Sequence, residues 1–161
     1  MPDTAPPIAV TAAEVPPRAR PSGYPPDLVA KIGRREKRVL GDIFGLRNFG
    51  VNLTRLPPGA ASALRHAHEK QDEFVYILEG ECTLVTNAGE TPMRAGMCAG
   101  FRAGTGDAHH LVNRGTADCL YLEIGDRTPF EHVTYPDDDL MIRPGPDGRS
   151  VYLRKDGTPI F

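Results

Sequence analysis

Glycine occurs 17 times and proline 16 times in 161 residues, and this density of chain-breaking residues constrains the fold more than any other feature. A helix interior tolerates neither residue well, so an all-helical bundle is disfavoured, whereas short strands joined by tight turns suit the pattern. From residue 39 onward, β-branched and apolar stretches alternate with turn residues. Strands are predicted over 49–56, 63–68, 73–78, 81–86, 97–102, 109–113, 120–125 and 150–154. Between them, Pro57-Pro58-Gly59, Glu79-Gly80, Asn87-Ala88-Gly89, Arg114-Gly115 and Asp156-Gly157 read as turns. An all-β sandwich or barrel follows, because closing the sheet removes exposed edges.

The two ends differ from this middle. Eight of the sixteen prolines lie in residues 1–27, so residues 1–30 are predicted to form an extended arm and residues 31–161 a single domain. Ile8, Val10, Val15, Tyr24 and Leu28 give the arm apolar side chains with which to dock. Residues 31–38, KIGRREKR, carry five of the nineteen basic residues and read as a solvated surface segment, with an anion-contacting loop as the alternative. After Asp126 the chain reads as edge strands and loops. Asp137, Asp138 and Asp139 lack the alternate-residue spacing and distal glutamate of a calcium loop and read as a solvated turn.

Nineteen basic against twenty-one acidic residues leave a formal charge of -2, too balanced for general attraction to nucleic acid or anionic lipid. No apolar run approaches the roughly 18 residues of a membrane span. Cys82, Cys98 and Cys119 are odd in number and lack CxxC spacing, so they read as packed thiols in a reducing, cytoplasmic setting. The opening residues show no basic segment followed by an apolar core, and export is not expected.

Chemistry concentrates in two places. In Arg65-His66-Ala67-His68 two histidines are separated by one residue inside a predicted strand, which puts both imidazoles on one face. Glu73 opens the next strand, within reach if the two are neighbours. Two nitrogens and an oxygen suit a metal ion, although polar contacts or a general base fit the same residues. His109 and His110 lie in a later strand, where only one of the two can share that face. Three imidazoles and a carboxylate converging in an interior are costly unless a cation satisfies them.

These residues bring a family into view. Gly59, His66, His68, Glu73 and Gly80 resemble the first motif of the cupin superfamily, with one extra residue between Gly59 and His66. Gly96, Gly104, His109 and Asn113 resemble the second motif more loosely: Arg102 stands where proline is expected, and the turn Thr105-Gly106-Asp107-Ala108 is longer. The resemblance covers about residues 49–125. It implies a double-stranded β-helix, or jelly-roll cupin barrel, with the metal ligands His66, His68, Glu73 and His109, and it turns His110 to the opposite face. The proline-rich start, Arg38-Val39-Leu40-Gly41-Asp42 and the run YPDDDL are similar to single-domain bacterial cupins often labelled either uncharacterised or sugar-phosphate isomerases.

The implied centre is one divalent ion, Fe, Mn, Ni, Zn or Cu, with open positions for substrate oxygens. A metal-binding enzyme acting on a small oxygenated metabolite, such as a sugar-phosphate isomerase, is the first expectation. A non-haem dioxygenase and a non-catalytic binding or sensing module are the alternatives, and no catalytic residue is assigned. By residue type Glu123, Tyr76 and Tyr121 are candidate bases, although packing or exposure explains each more simply. Arg47, Arg55 and Arg65 are candidate contacts for an anionic substrate, with surface ion pairing the plainer reading. Glu73, Val75 and Ile77 alternate with Phe74, Tyr76 and Leu78, so both faces of that strand are expected to be buried, one against the arm or the partner of a homodimer.

Overall fold

The computed structural model describes residues 5–19 and 22–161. Among these residues the order is a 3-10 turn (Ala12–Glu14), α1 (Pro26–Ile32), β1 (Glu36–Val39), α2 (Leu40–Ile43), β2 (Phe49–Leu56), β3 (Ala67–His68), β4 (Glu73–Glu79), β5 (Glu81–Thr86), β6 (Gly89–Arg94), β7 (Cys98–Phe101), β8 (His110–Val112), β9 (Cys119–Asp126), β10 (Val133–Thr134), β11 (Met141–Pro144) and β12 (Ser150–Leu153). One wall is a five-stranded sheet ordered β1-β2-β9-β4-β7. The facing wall comprises the sheets β6-β5-β8 and β12-β11-β10-β3, joined by antiparallel bridges between Ala61 and Val112 and between His66 and His109. All strand pairs are antiparallel. This is the jelly-roll barrel expected of the sequence.

Alternation along the strands builds the interior. On β4, Val75 and Ile77 are buried and meet Leu56, Leu84, Leu111 and Tyr121 from both walls. A second cluster, Leu28, Ile32, Leu64, Val133, Leu140 and Ile142, seals the barrel beneath α1. Gly80 turns β4 into β5 at φ 73°, where an added Cβ would lie 2.3 Å from the Asp118 carbonyl oxygen. Only glycine meets both conditions. No helix of the described residues is long and apolar enough to cross a membrane.

Several expectations are corrected. The extended run ends early, because α1 begins with Pro26 at its first position, carries Asp27 in its first turn and Lys31 in its last, and stops at Gly33 with φ 65°. Proline fits the first helical turn, where its missing N–H has no partner to lose. Leu28 and Ile32, four residues apart, bury the same helix face. Upstream, Val15 is half-buried and the Arg18 amide donates to the Lys37 carbonyl, but Ile8 and Val10 are exposed.

The basic segment is not simply a solvated surface, since its second half forms β1, an edge strand paired with β2. β6 escaped the periodicity reading because Met93 is its one buried residue. Asp138 is buried against Lys31 at 2.5 Å, so the aspartate turn is not wholly solvated. Cys82 and Cys119 are buried, whereas Cys98 is exposed. Within one chain, Phe74, Tyr76 and Leu78 are 38–39% exposed, so β4 has one buried face rather than two.

Candidate metal centre

The four nominated side chains come from both walls. Glu73 is the first residue of β4, paired with Phe101 on one side and Gly125 on the other. His66 and His68 flank Ala67 at β3, and His109 immediately precedes β8 on the facing wall. The backbones of His66 and His109 exchange two hydrogen bonds, of 3.1 and 2.8 Å, which lock the two segments in register. The longer turn at Thr105–Ala108 is absorbed without disturbing this pairing. Gly104 ahead of it still donates its amide to the His68 carbonyl at 2.9 Å.

Side chains from these positions meet at one atom. Glu73 Oε2 lies 3.3 Å from His66 Nε2, 3.4 Å from His68 Nε2 and 2.9 Å from His109 Nε2. The donor atoms of His66, His68 and Glu73 all fall within 4.8 Å of one another. Phe101 stacks on the His109 ring with centroids 3.5 Å apart and the planes nearly parallel, which restrains the orientation of the imidazole. His110 turns away, its Nδ1 2.9 Å from the Ala63 carbonyl oxygen.

The donor chemistry fits a cation. His66 Nδ1 sits 2.8 Å from the Leu64 carbonyl oxygen, which only accepts, so the ring proton belongs on Nδ1. In the neutral ring Nε2 then points a lone pair at the lone pairs of Glu73, and either a proton on that nitrogen or a metal ion relieves the contact. Burial disfavours a charged His66, yet the hydrogen bond and charge of Glu73 outweigh it and raise the pKa. Burial likewise pushes Glu73 up, but the hydrogen bonds of His109 and His66 hold its carboxyl well below the usual range. Burial dominates at His68 and lowers its pKa. The cluster therefore favours positive charge in a position shielded from water.

Outside the motifs, Glu131 is a residue that sequence reasoning missed. It is buried, accepts the amides of Glu69, Lys70 and His132 at 2.8–3.1 Å, and brings Oε2 to 3.7 Å from His68 Nδ1. No periodicity marks an isolated glutamate in a loop. Its carboxylate braces the turn that follows His68 and faces the outer nitrogen of that ring.

The centre opens on a cavity of about 280 Å3 whose lining includes Tyr24, Arg35, Lys37, Glu123, Glu131 and Tyr135. Of the candidate bases, Glu123 reaches this cavity and is held by Lys37 Nζ at 2.5 Å and Asn52 Nδ2 at 3.1 Å. Tyr121 also lines it, fully buried, with its hydroxyl 3.3 Å from Glu123 Oε2, whereas Tyr76 points outward. Burial raises the Glu123 carboxyl, but the charge and hydrogen bond of Lys37 and the charge of Arg35 bring it below the ordinary range. None of the three nominated arginines lines the cavity. Arg55 pairs with Glu36 and Asp118, Arg65 pairs with Asp137, and Arg47 is exposed.

Comparison with known proteins agrees with the motifs. Residues 52–125 match the family model for the Cupin domain. The structure is similar to a sugar phosphate isomerase from the cupin superfamily of Silicibacter pomeroyi, at 44% identity and TM-score 0.86 over 95% of this chain and 96% of that one. It is also similar to a predicted oxalate decarboxylase of Thermotoga maritima, at 25% identity and TM-score 0.61 over 75% of this chain and all of that one. An oxalate-binding protein of Thermotoga maritima is 35% identical over 71 residues, which span 44% of this chain and 55% of that relative.

Proposed function

This chain belongs to the cupin superfamily, and on that premise we propose that it is a metal-dependent enzyme that isomerises a small phosphorylated hydroxy-carbonyl compound. The observation that carries the proposal is the meeting of three imidazole Nε2 atoms within 3.4 Å of one Glu73 oxygen, at the wall of a cavity. His66, His68, Glu73 and His109 would hold a divalent ion, which when bound supplies Lewis-acid polarisation of a substrate carbonyl.

The protein's own contribution lies with Glu123. Its carboxylate is kept ionised by Lys37 and faces the same cavity. From there it takes the proton on the carbon beside the carbonyl and returns it to the neighbouring carbon. The hydroxyl proton passes to the former carbonyl oxygen as the carbon-bound proton reaches the former carbonyl carbon, so carbonyl and hydroxyl exchange places and no oxidant or co-reactant is consumed. A likeness of 44% to a sugar phosphate isomerase supports this reading. The half-exposed stripe of Phe74, Tyr76 and Leu78 offers a surface on which a second copy would pack.

A second reading is capture of a small carboxylate without turnover, favoured by the likeness to an oxalate-binding protein. Metal analysis of freshly purified protein, followed by assays on a panel of aldose and ketose phosphates with Fe, Mn, Ni, Zn or Cu restored, separates the two. Interconversion that stops on chelation is the expected result. Oxygen uptake dependent on iron would instead establish a dioxygenase, and tight retention of oxalate without turnover would establish the binding module.

A further inference from the structure

Period-two geometry divides the charges around β1 into two sets. Glu36 and Arg38 face outward and are fully engaged: Glu36 pairs with both Arg38 and Arg55, and Arg55 also pairs with Asp118. Arg35 and Lys37 face inward and line the cavity that contains the histidine cluster. Lys37 is neutralised by Glu123 at 2.5 Å. Arg35 makes no side-chain hydrogen bond or ion pair among the described residues, although it is half-buried and its charge reaches Tyr24, Tyr121 and Glu123.

A guanidinium held in a partly dry pocket without a carboxylate is unusual, because burial penalises charge unless a partner compensates it. Among the described residues the pocket supplies no such partner. The three carboxylates of the lining are already committed, Glu123 to Lys37 and Asn52, Glu73 to the three histidines, and Glu131 to the amides of Glu69, Lys70 and His132. The remaining wall on this side is phenolic, with Tyr24 set edge to face against Tyr135 at 5.8 Å. At about 280 Å3 the cavity holds on the order of nine waters at roughly 30 Å3 each, room for a metabolite of a few carbons.

We infer that Arg35 is the anion-binding subsite of this cavity: its planar fork takes the terminal anionic group, phosphate or carboxylate, of a small ligand whose oxygenated end lies at the His66, His68, Glu73 and His109 cluster. A guanidinium suits this task because its parallel N–H groups match two oxygens of either anion at once. The substrate class then has two ends, a chelating hydroxy-carbonyl or hydroxy-carboxylate head and an anionic tail a few atoms away. Selectivity for the tail is built by the segment leading into β1, which lies outside the stretch matched by the family model. The inference relies on the proposed metal centre only for the position of the head.

Three probes share a 2-hydroxycarboxylate head and differ in the tail: lactate ends in methyl, malate in carboxylate and 3-phosphoglycerate in phosphate. Each is titrated by calorimetry into metal-loaded wild-type protein and into Arg35→Ala, Arg35→Lys and Arg34→Ala variants, with metal content and thermal stability recorded for each. Arg34 is exposed and does not line the cavity, so it serves as the control.

In wild type at least one anionic-tailed probe should bind about tenfold or more tighter than lactate. Arg35→Ala should abolish that advantage while leaving lactate affinity and metal content unchanged, Arg35→Lys should restore part of it, and Arg34→Ala should stay within about twofold of wild type. Preference for 3-phosphoglycerate assigns the tail as phosphate, and preference for malate assigns it as carboxylate. Equal affinity for all three probes in wild type, an equal loss for all three in Arg35→Ala, or no binding of any probe overturns the inference. Loss of the tail advantage in a protein that never retains metal leaves the subsite standing and removes the metal reading instead.

Discussion

The stretch from residue 52 to 125 and the segments on either side of it contribute different chemistry to one cavity. The central stretch supplies the four side chains proposed to hold a metal, each at an end of a strand or immediately beside one, with backbone pairing that leaves little freedom in their spacing. The flanking segments supply Tyr24, Arg35 and Lys37 from one side and Glu131 and Tyr135 from the other. A compact centre needs four atoms placed to within a few tenths of an ångström, and a rigid barrel provides that. Recognition of the rest of a ligand needs only the right charge on a wall, which a flanking strand or loop can provide and vary.

Predictions that separate the two contributions begin with the centre itself. His68→Ala removes a donor and should lower retention of a divalent metal by more than the hundredfold that outer partners reach, read by metal analysis after gel filtration. Wild-type metal content in that variant would detach the centre from these ligands. Glu131→Gln, on the flanking side, weakens the brace behind His68 and should cost about ten- to a hundredfold in metal affinity by competition with a chromophoric chelator. An unchanged affinity would confine control of the centre to the central stretch.

Lys37→Met tests the wall opposite. The folded pKa of Glu123 lies below its unfolded value, so the group contributes stability that is present above the unfolded carboxylate range, near pH 4.3, and is lost as pH falls through the folded value. Removing Lys37 lets burial raise that value and should cost about 1.5–3 kcal/mol at pH 7 by urea denaturation. The gap from wild type should close on acidification. Arg55→Ala, on the outward face of the same sheet and 44% exposed at its side chain, should cost less than about 1 kcal/mol.

Much of the fold was legible in the sequence wherever apolar alternation and turn residues coincided. The strands Phe49–Leu56 and Glu81–Thr86 match their expected limits. Where burial is one-sided and slight, the pattern fades. β6 hides in GETPMR with Met93 alone in the core, and β1 consists of three charged residues and a valine. α1 escaped because two prolines preceding an aspartate suggest an extended chain until the burial of Leu28 and Ile32 shows what the helix packs against.

Asn113 illustrates a residue whose place in the second motif was visible while its role was not. It is fully buried, its amide nitrogen donates to the carbonyls of Leu56 and Ala117 at 2.7 and 2.8 Å, and its oxygen accepts from the Gly115 amide at 2.9 Å. It ties the end of β8 to β2 rather than facing a ligand.

By itself the sequence determined that this chain is an all-β sandwich or barrel, because strand periodicity is a local property written along the chain, and its resemblance to the cupin motifs nominated His66, His68, Glu73 and His109. Only the tertiary structure decided that the three imidazoles meet around one Glu73 oxygen, that Arg55 and Arg65 are spent on surface partners, and that Arg35 faces the cavity without one among the described residues. Contacts such as these join residues far apart in sequence, and their strength depends on distance and burial, which follow from how the walls close.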